Sequence, residues 1–133
     1  MEKLKTFLSA AFVMCLLLGN SVMAARNTIT LPEHQEWVSL TTSRYTAYHT
    51  LSARCIAVYP MNGGTDDFEK IQAQITDKNG VVVINTFQLD ETTGKAETFA
   101  IPSAYQHEAV FVFKFRGNNY FYSAYADVTY EAN

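Results

Sequence analysis

Five carboxylates bracket one segment of this 133-residue chain: Asp66, Asp67 and Glu69 precede it, and Asp90 and Glu91 follow it. If the segment folds back on itself, all five gather at its open end. Like charges at that separation repel, and a hard cation with oxygen ligands relieves the repulsion. The cluster therefore reads either as a calcium site on the loops of an exported domain or as a solvated acidic rim. No ligand-loop motif accompanies it, and no other cofactor is indicated. A carboxylate pair also suits glycoside hydrolysis, but any two acids satisfy that pattern until their separation is known.

Other nucleophile and ligand residues are sparse. His34, His49 and His107 lack the H-x-x-x-H spacing of a metal helix. Cys55 could pair with one of them as a thiol–imidazole couple. It lies mid-strand among Leu51, Ala53 and Ala57, however, where a free cysteine packs as a small hydrophobe. G-x-S-x-G and phosphate-loop motifs are absent. The expectation is a protein that is not an enzyme.

Aromatic residues are the stronger signal. Beyond residue 24 the chain holds Trp37, eight tyrosines and seven phenylalanines. Phe111, Phe113 and Phe115 alternate as one inner face, and Trp37 beside Val38 and Leu40 also reads as core. Tyr120, Phe121, Tyr122 and Tyr125 cluster further on, with Lys114 and Arg116 in reach for cation–π contacts. Arg116, Tyr120, Tyr122 and Tyr125 are thus a candidate ligand-binding face for a sugar ring or a protein surface. The competing reading is cross-strand pairing that only stabilises a hairpin. Tyr45, Tyr48 and His49 form a second, smaller patch.

The elements that must position these residues are strands. Apolar and polar residues alternate with period two nearly throughout, and Val, Ile, Thr, Tyr and Phe dominate. Expected strands cover 27–31, 36–40, a weaker 45–50, 51–59, 71–76, 81–89, 96–101, 108–116 and 120–130, with Thr41–Arg44 as a turn. Leu51, Ala53, Cys55, Ala57 and Tyr59 share one side of the fourth of these. Asp77-Lys78-Asn79-Gly80 suits a type I turn with a glycine bulge. In that register Ile75 faces Val83, Ile71 faces Phe87 and Glu69 faces Leu89, which brings Asp67 near Glu91. The last two strands read as a hairpin with the phenylalanines opposite small residues. The fold class expected is all-β: an antiparallel β-sandwich of seven or eight strands, immunoglobulin-like or jelly-roll. A small closed barrel is the alternative.

The first 24 residues read as a cleaved signal peptide: Glu2, Lys3 and Lys5, an apolar run from Phe7 to Leu18, a break at Gly19-Asn20-Ser21, and Val22-Met23-Ala24 at the cleavage site. The run is too short for a span of about 20 residues, so the mature chain is expected to have no membrane span. The domains are then 1–24 and a β-sandwich over 25–133. Cys15 leaves with the leader, so no intrachain disulfide remains. The leader also removes two lysines and one glutamate from totals of 10 basic and 13 acidic residues, leaving 8 against 12. No cluster of Lys and Arg exists, which argues against nucleic acid. The expected protein is a small secreted binding module, extracellular or held in the envelope or periplasm, with a carbohydrate or protein surface as partner. A structural or assembly subunit, and a secreted toxin or effector, are the alternatives.

Overall fold

Alternating apolar residues need one buried and one solvated face, and two stacked sheets supply that. A computed structural model describes residues 25–45, 47–61 and 69–133. The proposed leader, Asp66, Asp67 and the Gly63-Gly64 loop lie outside the described residues. Eight strands are described: β1 (Ala25–Leu31), β2 (Val38–Ser43), β3 (Thr50–Pro60), β4 (Lys70–Asp77), β5 (Val82–Asp90), β6 (Glu97–Ala100), β7 (Val110–Gly117) and β8 (Ala124–Ala132). They form two four-stranded antiparallel sheets, β1-β8-β3-β6 and β2-β7-β4-β5, and the protein is a β-sandwich. Among the described residues no helix is long and apolar enough to cross a membrane.

Only β4 and β5 are consecutive strands paired in one sheet. The expected hairpin of the last two strands therefore does not form. β7 lies between β2 and β4, whereas β8 lies between β1 and β3 in the other sheet. Phe111, Phe113 and Phe115 do turn inward and are fully buried, as are Ala124, Ala126 and Val128 of β8. The large rings and the small residues meet across the core instead of along a ladder. The rings of Phe113 and Phe115 lie 5.3 and 6.2 Å from that of Tyr130. Alternation fixes which way a side chain points but not which strand is its neighbour. Residues 118–123 are consequently not strand, because they must cross a gap of about 10 Å between sheets.

Two further boundaries move. Thr41 to Ser43 continue β2 and pair with Val110 to Val112, while residues 45 and 47–49 are not strand. The polar run is the solvated face of an edge strand, and His49, with φ 63°, breaks the extended path before β3. In β3 the register shifts between Cys55 and Ala57. Leu51, Ala53 and Cys55 face the core, but beyond this bulge Val58 does, and Tyr59 turns outward. A bulge inserts one residue and so inverts the alternation after it.

The β4–β5 turn has the expected bulged form. Gly80 adopts φ 88°, its N–H donates to Asp77 O at 3.1 Å, and Asp77 N–H donates to Val81 O at 2.9 Å. Asp77 Oδ1 also accepts from the N–H groups of Asn79 and Val81, at 2.8 and 2.9 Å. The expected register survives only at Thr76–Val82. Two shifts then place Ile75 opposite Ile84, Ala73 opposite Phe87 and Ile71 opposite Leu89. β5 is an edge strand, where bulges cost little and discourage pairing with another chain. The left-handed backbone at Gly80 predicts that Gly80→Ala destabilises the fold by about 1 kcal/mol in urea unfolding. Nothing lies within 4 Å of the added Cβ, so the cost is backbone strain and Gly80→Asn should recover part of it.

Candidate functional site

The described acids serve the connection between β5 and β6. The register slip puts Glu69 opposite Glu91 instead of opposite Leu89, and the Glu91 N–H donates to Glu69 O at 2.9 Å. β6 covers β3 only from Thr50 to Ala53, which leaves the later amides of that edge without a strand partner. Glu91 fills the gap: its Oε1 accepts from Val58 N–H at 2.6 Å. Asp90 Oδ1 accepts from Thr92 N–H at 2.9 Å, and Asp90 O accepts from Gly94 N–H at 3.0 Å. Glu69 Oε1 accepts from Thr92 Oγ1 at 3.5 Å. Each of these carboxylates has local backbone or hydroxyl work. Among the described residues no three His, Cys, Asp or Glu side chains are grouped to hold a metal ion.

Cys55 is fully buried among the core residues, and burial, then the nearby Glu91 charge, pushes its thiol up to about 12. The histidines sit in the connections. His34 precedes β2, where its ring lies 4.9 Å from that of Tyr120. At the opposite end Arg44 Nη2 donates to His49 Nδ1 at 2.8 Å. His107 Nε2 lies 3.1 Å from Glu108. Arg44 also donates to the carbonyls of Gln106 and Glu108, tying the β2–β3 and β6–β7 connections beneath an open depression of about 320 Å³.

The four residues expected to share an aromatic face fall on different surfaces. Arg116 points outward from the second sheet, and Tyr125 points outward from the first, so the core separates them. Tyr122 is half-buried and packs against the core cluster. Tyr120 lies in the β7–β8 connection with Phe121, their rings T-shaped at 5.3 Å. The cation–π partner of Arg116 is Trp37, whose ring centroid lies 4.4 Å from the guanidinium carbon and 5.5 Å from Lys114 Nζ.

What gathers instead is a rim at one end of the sandwich. His34 N–H donates to Tyr120 O at 2.7 Å, Gln35 Nε2 donates to Gly117 O at 3.1 Å, and Phe121 N–H donates to Asn119 Oδ1 at 2.8 Å. These bonds hold Tyr120 and Phe121 in solvent, 52% and 73% exposed. Tyr59 and Tyr125 pair across β3 and β8 on the adjoining outer face, 57% and 44% exposed. Sequence reasoning missed His34 and Tyr59. The first has no local signal, and the second is outward only because of the β3 bulge.

Comparison with protein-family models, with curated proteins and with solved structures finds no match. The chemistry of this surface therefore has to be read from its own geometry. The described residues offer aromatic contact area and hydrogen-bonding groups, with the thiol sequestered and each described carboxylate of the cluster engaged locally.

Two outcomes follow from these contacts. Glu91→Ala should lower stability by about 1.5–3 kcal/mol, the range for a hydrogen bond to a charged group, while Glu91→Gln retains most of it. Cys55 should resist thiol reagents at pH 8 in the native protein and react at once in denaturant, as followed by release of a chromogenic thiolate.

Proposed function

We propose that this chain is an exported, non-enzymatic binding module whose contact surface is the aromatic rim, and that its partner is a protein surface. The observation that carries this reading is the exposed Tyr120–Phe121 pair, anchored through His34. Exposed aromatic hydrocarbon held in one geometry costs little further entropy on binding and supplies large contact area. The T-shaped pair presents a wedge of edges, which suits insertion between side chains better than stacking on a flat sugar ring. Export rests on the charged start, apolar run and cleavage-site residues at positions 1–24.

The strand order supports jelly-roll wrapping over the immunoglobulin-like alternative. Seven connections join eight strands, and all but β4–β5 cross between the sheets. That pattern suits two interleaved Greek keys. It also gathers the β1–β2 and β7–β8 connections at one end, where His34 and Tyr120 meet. Edge-to-edge assembly has weaker support, because β6 spans four residues and β5 is bulged twice.

A photo-reactive benzophenone side chain at position 121 tests the rim. On cells exporting the protein it should yield a discrete protein adduct, absent when the probe stands at exposed Lys78 in the far turn. Tyr120→Ala should diminish that adduct without moving the melting temperature. Identical adducts from positions 121 and 78 would sink the proposal.

A further inference from the structure

Two rows of side chains cross the outer face of the second sheet. The register aligns Gln88 on β5, Gln72 on β4 and Arg116 on β7, with Trp37 continuing the row just before β2. The neighbouring row places Gln74 beside Lys114. Strand spacing of about 4.8 Å makes the first row about 14 Å across, and the second lies about 6.8 Å from it.

Contacts within the sheet organise this face. Arg116 Nε donates to Gln72 Oε1 at 2.7 Å while its guanidinium lies over the Trp37 ring, so both planar groups are fixed. Lys114 lies near the same ring. Among the described residues neither Lys114 nor Arg116 forms an ion pair, although acidic residues outnumber basic ones, 13 to 10. Two adjacent cations are thus left unneutralised in an acidic protein, beside three side-chain amides.

We propose that this face binds an acidic polysaccharide, a glycan chain carrying carboxylates of the uronic-acid type. With Arg116 Nε committed to Gln72, its two Nη groups remain for a carboxylate, and Lys114 supplies a second cation one row away. Gln88 offers two donors and an acceptor, and Gln72 keeps its amide donors after its Oε1 accepts from Arg116, which matches neighbouring hydroxyls. A sheet face has no open backbone ladder, so an extended peptide gains no strand pairing there. Two cations release few counterions, so the affinity depends on hydroxyl recognition and a polyphosphate is disfavoured. The surface is distinct from the rim at Tyr120 and Phe121 and stands or falls separately.

Trp37 is the single tryptophan of the chain, so its emission reports from within the site. Titrating polygalacturonate into the exported protein should change that emission, and added salt should weaken the response. The Gln72→Ala/Lys114→Gln double variant should raise the midpoint about tenfold or more, the equivalent of losing one charge-assisted hydrogen bond. Its own calcium-free melting curve, and Arg116→Gln with the Trp37 environment perturbed directly, distinguish a lost contact from a lost fold. Tyr120→Ala/Phe121→Ala should titrate as the wild type. An emission unmoved by polygalacturonate, or an equal response to neutral dextran, would overturn the proposal.

Discussion

Three phenylalanines on one strand need small residues facing them, and this single packing requirement orders the molecule. Phe111, Phe113 and Phe115 are fully buried on β7, the second strand of its sheet. Ala124, Ala126 and Val128 on β8, the second strand of the other sheet, leave room for them. Interiors pack at crystal-like density, so bulk on one sheet has to be matched by absence of bulk on the other. Period-two geometry does the rest: once the phenylalanines point inward, Lys114 and Arg116 must point outward. The cationic part of the second sheet's outer face is therefore a consequence of the core.

Irregularities supply what the regular ladders do not. The β3 bulge turns Tyr59 out beside Tyr125, and the same stretch leaves the Val58 amide without a strand partner until Glu91 accepts from it. The shifts in β5 move Glu91 opposite Glu69. The acidic group near this loop thus takes on a structural task, sealing the part of β3 that the four-residue β6 does not reach. The outer face of the first sheet is tied more simply, by the paired Arg26 and Asp127, whose hydrogen bonds hold the Asp127 carboxyl below its usual range.

The connection between β1 and β2 joins both proposed surfaces. It carries His34, which anchors Tyr120 at the rim, and Trp37, which stacks with Arg116 on the second sheet. The end and the adjoining face are thus both fixed to the same short segment. Cys55 takes no part in either surface, and the described stability comes from packing and backbone pairing.

Some of this was legible in the residues alone. The all-β class, the inward phenylalanines, the buried cysteine and the bulged Asp77–Gly80 turn all depend on alternation or on local turn chemistry, which are properties of a few consecutive residues. Partner choice is not local. Whether β7 pairs with β8 or faces it across the core depends on where six other strands lie, and the same alternating pattern serves both. The β3 bulge and the first shift in β5 leave no trace in the pattern, because Ile56-Ala57-Val58 and Val82-Val83-Ile84 are apolar on both parities; the second shift falls at Asn85-Thr86, a polar pair on an edge strand. For that reason the sequence determined which residues were surplus to the core, and only the tertiary structure decided their company: Trp37 for Arg116, His34 for Tyr120 and Tyr59 for Tyr125.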